Sequence, residues 1–180
     1  MNTNKCIKSR KSPESFLSTP LKREDIQTIV EAGAYAPIFG EVQFTVVESK
    51  EAISSINHMA VEMLKNCGNE FVENMAKAPG YSAVRNAQAI VVLSALNGND
   101  PQGFNMANVS CAAQNMLLTA TELNIGSRFA MGPVMALTQE PVKSMITLPE
   151  GFEPLVVVLL GNIEDSFEER EKEVTNIYYI

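Results

Sequence analysis

The sequence predicts an α+β domain: a central, mostly antiparallel sheet sandwiched between helices. Three observations lead there. Helical and strand-like segments alternate without the strict βαβ order of a parallel sheet. Two short runs, Ala89 to Ala95 and Leu155 to Leu160, are apolar at every or nearly every position, as strands buried on both faces are. One segment, Phe104 to Leu123, is long, apolar, and rich in Ala and Met, which suits a helix buried on more than one side.

In chain order, Ile7 to Ser12 predicts a short helix halted by Pro13. Thr19-Pro20 opens a second, since proline is tolerated in a first turn. Ile26, Ile29, Val30 and Gly33 or Ala34 form its buried stripe, and Pro37 marks its end. Gln43 to Glu48 reads as a strand. Residues 50–66 follow as a helix with Ile53, Ile56, Ala60, Met63 and Leu64 on one face, and a shorter helix spans roughly 69–77. After the strand at 89–95, Leu96 to Gly103 is a loop dense in turn formers. The long helix ends at Asn124-Ile125-Gly126. A short strand near Arg128 to Ala130 is stopped by Gly132-Pro133, a short helix covers 139–146, and Leu155 to Leu160 is the last central strand. Residues 164–173 are highly charged and loop-like. Val174 to Ile180 reads as a strand in need of a sheet edge, a partner's being one candidate. The 180 residues suit one domain, 1–180, with 164–180 as a C-terminal arm.

Composition narrows the function. With 46% apolar and 19% charged residues the chain is ordinary for a globular protein, and no run approaches the roughly 20 apolar residues of a membrane span. The start is polar and basic, without an apolar signal core, so the cytoplasm is the expected compartment. Cys6, Cys67 and Cys111 form neither a disulfide framework nor a zinc pattern, and Cys111 is expected in the core. The single histidine, His58, has no metal or triad partner nearby in sequence and is read as structural or superficial. A net charge of −7 argues against a nucleic-acid surface. Yet residues 1–23 carry +5 and the remaining 157 carry −12, a local basic cluster that suits a small anion or a solvated arm. There is no G-x-G-x-x-G after a strand, no P-loop, no G-x-S-x-G elbow and no H-E-x-x-H. Chemistry borne by a bound cofactor is therefore favoured over side-chain catalysis.

Four segments, in order, carry a family resemblance. They are Ile7-Lys8-Ser9-Arg10-Lys11-Ser12-Pro13-Glu14-Ser15-Phe16; Ala36-Pro37-Ile38-Phe39-Gly40-Glu41-Val42-Gln43; Cys111-Ala112-Ala113-Gln114-Asn115-Met116-Leu117-Leu118 through Gly126-Ser127; and Leu148-Pro149-Glu150-Gly151-Phe152 with Pro154 to Gly161. Together they resemble the FMN-dependent nitroreductase family over about residues 5–161.

That resemblance implies a sandwich built as an intertwined homodimer, FMN between the subunits, and a C-terminal strand exchanged to the partner. It implies an NAD(P)H oxidoreductase in which FMN takes a hydride at N5 from NADH or NADPH and passes electrons to a small-molecule acceptor, a nitroaromatic, quinone or similar flat electrophile. No catalytic side chain and no metal are required. An FMN-binding dimeric module without turnover, or a dehalogenase or dehydrogenase of the same family, are the alternatives. By position, Arg10, Lys11 and Ser12 correspond to the phosphate and ribityl contacts. Two cations and a hydroxyl in three residues also suit a dianion. Pro37, Ile38 and Phe39 correspond to the stretch leaning on the ring from the other subunit, and Gln43 to a ring or ribityl contact. Ala130, Met131 and Gly132 fall where a backbone N–H approaches flavin N5, which stabilises negative charge arriving there. Arg170 is the candidate second phosphate arginine. Glu14 stands where that family commonly has Arg, and is expected to weaken the basic site. Met116 and Leu117 are expected to be core packing.

Overall fold

The computed structural model describes residues 2–96, 98, 100, 103–173, 176–178 and 180. Its helices are α1 (Thr3–Ser9), α2 (Arg23–Ala34), α3 (Lys50–Leu64), α4 (Glu70–Lys77), α5 (Phe104–Glu122) and α6 (Val142–Met145). The strands are β1 (Val42–Val47), β2 (Ala89–Leu96), β3 (Gly126–Ala130) and β4 (Phe152–Gly161), with a 3-10 turn at Gly132–Ala136. Among the described residues the strands make one sheet in the order β1-β2-β4-β3, every neighbouring pair antiparallel.

Both faces of the sheet are covered. Alternation along β2 sends Ile90 and Val92 to one face, where they meet Ile53, Ile56 and Ala60 of α3 with Leu137 and Val142. Val91, Leu93 and Ala95 point the other way, onto Ile26 and Ile29 of α2 and Val109, Ala112, Ala113, Met116 and Leu117 of α5. A strand covered twice needs apolar residues at every position, which is why β2 and β4 read as unbroken runs. Met116 and Leu117 are core residues, fully and almost fully buried.

One pairing shapes the region around the site. Gly126 of β3 faces Gly161 of β4. A Cβ on Gly161 would lie 2.6 Å from Phe16 Cβ, and one on Gly126 would lie 2.5 Å from Ile163 Cγ2 and 2.9 Å from the Gly161 carbonyl oxygen. The bare backbone of this corner is the seat of the buried Phe16.

Three expectations are corrected. Helix α1 spans Thr3–Ser9 rather than 7–12: Asn2 accepts the Lys5 N–H at 2.9 Å, a start signal the Pro13 boundary obscured, and Arg10 already leaves the helix at ψ 132°. Helix α2 starts at Arg23, not at Thr19-Pro20. Asn162 holds the stretch before it, accepting Leu17 N–H on its carbonyl and donating its side-chain amide to the Thr19 carbonyl. Cys111 is exposed, not in the core, because it lies on the outer side of α5 between the buried Asn108 and Ala112. In the span Val174 to Ile180, Val174, Thr175 and Tyr179 lie outside the described residues, and residues 176–178 and 180 form no strand. His58 is exposed. Among the described residues no helix is long and apolar enough to cross a membrane, and no group of His, Cys, Asp or Glu is placed to hold a metal ion.

Candidate functional site

The basic segment and the acidic arm meet at the end of α1. Arg10 terminates that helix, is half-buried, and donates from Nη1 to Ser12 Oγ at 3.3 Å. The last carbonyls of a helix lack intrahelical donors. Arg170 supplies two to Lys8, from its backbone N–H at 3.2 Å and its Nε at 3.0 Å. That grip carries its guanidinium to Arg10. Burial, and then the Arg170 charge, push the Arg10 pKa below its ordinary value. Among the described residues neither arginine has a carboxylate within ion-pair distance, although Lys8, Lys11, Arg85 and Arg128 all do. Two guanidinium groups whose charges interact, with a hydroxyl and, among the described residues, no carboxylate in ion-pair range, have the chemistry to bind a phosphate monoester.

Lys11 turns elsewhere. Its Nζ lies 3.1 Å from Asp165 Oδ2, donates to the Ser166 carbonyl at 2.8 Å, and stands 5.6 Å from the centre of the Phe167 ring.

Glu14 ties this segment to the rest of the fold. Its carboxylate is bound by Arg128 of β3 and by Arg85, each at 3.2 Å. The same Arg128 Nη1 donates to the Pro13 carbonyl at 3.0 Å. Glu14 is thus answered by two cations, which counters the weakening of the basic site expected from its charge. Phe16 N–H donates to the Arg85 carbonyl at 2.9 Å, and Asn86 Nδ2 to Ser15 Oγ at 3.1 Å. These bonds hold Arg85 and Asn86 in consecutive left-handed conformations, at φ 54° and 60°. Through Arg128, residues 10–16 lie beside β3, whose last residue, Ala130, leads into Met131 and Gly132. Ala130 is half-buried and Met131 exposed. Gly132 opens the 3-10 turn, where backbone N–H groups have no acceptor within the turn.

The remaining candidates form a second group. Phe39 is 76% exposed, with its ring 5.4 Å from that of Phe104. Asn108 of α5, buried, pairs with the Phe39 backbone as a second strand would: Oδ1 accepts its N–H at 2.9 Å and Nδ2 donates to its carbonyl at 2.7 Å. Pro37 and Phe39 are exposed and Ile38 half-buried; Gln43 is exposed on β1. This group lies at the β1 edge of the sheet, the Arg10 group at the β3 edge. Three strand spacings, roughly 14 Å, separate the edges. One chain therefore brings Arg10, Ser12 and Arg170 together, sets Ala130 to Gly132 on the same side, and leaves Pro37, Ile38, Phe39 and Gln43 apart from them.

Arg128, Arg85, Asn108 and Asp165 were not among the residues singled out from the sequence. For Arg128 the signal was a lone cation inside a short strand; Asn108 is one of four amides in α5, with Asn105, Gln114 and Asn115, and nothing local marks it out. Nothing in the sequence pairs Asp165 with Lys11.

Residues 7–162 match the model of the nitroreductase family. No curated protein matches the chain. Among solved structures, a nitroreductase with bound FMN from Desulfitobacterium hafniense is 22% identical with a TM-score of 0.87, covering 100% of this chain and 99% of that one. A nitroreductase with bound FMN from Bacteroides fragilis is 22% identical with a TM-score of 0.83 and the same coverage. A protein from Parabacteroides distasonis, under the provisional name NADH dehydrogenase/NAD(P)H nitroreductase, is 19% identical with a TM-score of 0.69, covering 99% and 98%. By the span of the family match, the chain belongs to the nitroreductase family.

Proposed function

We propose that the chain is an FMN-dependent oxidoreductase, active as a homodimer, that oxidises NADH or NADPH and reduces a nitroaromatic, quinone or similar flat acceptor. The observation that carries this reading is the Arg10–Arg170 pair with Ser12: two cations that, among the described residues, have no carboxylate in ion-pair range, beside the edge strand that leads to Gly132. These residues fit the phosphate of FMN, which when bound supplies the redox chemistry, taking a hydride from a nicotinamide and returning electrons to an acceptor.

The chain's own work is to bind, orient and exclude water. Arg10, Ser12 and Arg170 hold the phosphate. The backbone at Ala130 to Gly132 would serve the ring edge of a bound flavin, where the absence of a Cβ at Gly132 leaves room. Pro37, Ile38 and Phe39, with Gln43 beside them, cover the ring from a second copy, because their own chain holds them at the opposite sheet edge. The outer side of α5 supports such pairing: Phe104, Ala107, Cys111 and Gln114 are exposed and uncharged.

The test is the purified protein loaded with FMN. Two FMN per dimer, and loss of the visible flavin absorption on adding NADH or NADPH without oxygen, are expected, with recovery on adding a nitroaromatic or quinone. A protein that stays colourless in excess FMN defeats the reading. One that binds FMN but is bleached only by dithionite is a binding module.

A further inference from the structure

The contacts of Lys11 assign it a different task from the one its place in the sequence implies. Three consecutive arm residues, Asp165, Ser166 and Phe167, converge on its ammonium, and the lysine side chain is 26% exposed against 77% for Asp165. Nearby, Glu169 lies 3.7 Å from Lys8 Nζ, and Arg170 grips the Lys8 carbonyl twice. We infer that Lys11 and Asp165 are positioning residues: their contact latches the 164–170 arm to the end of α1 and so delivers Arg170 to Arg10. This rests on the phosphate reading above.

Arm and anion are then coupled. Repulsion between Arg10 and Arg170 opposes docking of the arm, and a bound phosphate relieves it. Whatever strengthens docking strengthens phosphate binding, and the reverse holds equally. The latch gives Asp165 an effect opposite to the one its charge predicts. A carboxylate close to a dianion site repels the dianion, so neutralising it ought to tighten binding. As half of a latch, its neutralisation loosens binding.

The experiment compares FMN with riboflavin, the same ring without the phosphate, on the full-length protein and on Asp165→Asn. An exposed ion pair contributes modestly, so FMN affinity is expected to fall about threefold, with riboflavin affinity unchanged. Lys11→Arg, which keeps the charge and the reach, retains wild-type FMN affinity. A glutamyl endoprotease cuts the arm faster in Asp165→Asn, and FMN, but not riboflavin, slows cleavage in the wild type. Unchanged or tighter FMN binding by Asp165→Asn overturns the latch alone. Equal affinity of the wild type for FMN and riboflavin overturns the phosphate reading beneath it.

Discussion

Asn108 is the position whose removal tests most directly how the ring-covering loop is held. Its amide makes two hydrogen bonds to the Phe39 backbone, at 2.9 and 2.7 Å, from a buried place on α5. Asn108→Ala deletes both. At about 1 kcal/mol net per bond, with the freed Phe39 groups close to water, the loss is about 2 kcal/mol. For a chain of this length that corresponds to a melting temperature lower by about 4–8 °C. Asn108→Asp is the sharper perturbation. One carboxylate oxygen still accepts the Phe39 N–H, but the other faces a carbonyl oxygen where an N–H donor stood. At neutral pH it is expected to be less stable than Asn108→Ala. Burial raises the folded-state pKa of the new carboxyl above its unfolded value of about 3.9. The protonated acid regains a donor, so this variant recovers stability relative to wild type as pH falls through the raised folded value towards the unfolded one. Thermal unfolding followed by circular dichroism at pH 7 and near pH 4.5 measures both effects. An Asn108→Ala protein that melts within about 1 °C of wild type, or an Asn108→Asp deficit independent of pH, refutes the role given to this amide.

Three further outcomes are expected. Arg10→Gln removes one of the two unopposed cations, and FMN affinity falls about 10- to 100-fold while riboflavin binding is unaffected, read by quenching of flavin fluorescence. Gly161→Ala forces a methyl group against Phe16, 2.6 Å away, and lowers stability by about 1–3 kcal/mol in urea unfolding; FMN affinity falls with it, because Phe16 anchors the segment that ends in Arg10. The Glu73 carboxyl is held below its ordinary range, first by the Gly68 N–H and then by Lys77. Its stabilising effect is present above the ordinary Glu value and is lost as pH falls through its lowered one, so the difference in melting temperature between wild type and Glu73→Gln closes in acid.

The legible parts of the fold were those governed by local rules. Ala89 to Ala95 and Leu155 to Leu160 were readable as central strands because both faces are buried, and α3 because its apolar residues recur at helical spacing. The start of α2 was not, since the bonds that keep residues 17–20 out of the helix come from Asn162, more than a hundred positions away. Cys111 was misplaced for another reason: around it the outer side of α5 carries Ala107 and other uncharged residues, so periodicity did not separate it from the inner side. In the site, the charge asymmetry of the first 23 residues marked the segment of Arg10 as basic, while the roles of Arg10 and Arg170 came from the family resemblance. The turning of Lys11 towards Asp165, and the double tie of Glu14 to Arg85 and Arg128, depend on the chain's return path and left no local trace.

The placement of the two residue groups on opposite margins of one sheet bears on inheritance. In the proposed pair, each catalytic centre draws its anion-binding half from one polypeptide and its aromatic cover from the other. Mixing a chain defective at Arg10 with one defective at Phe39 would concentrate both lesions in a single centre and leave the other whole. Two inactive alleles of this kind would therefore complement each other, whereas two alleles damaged on the same margin would not.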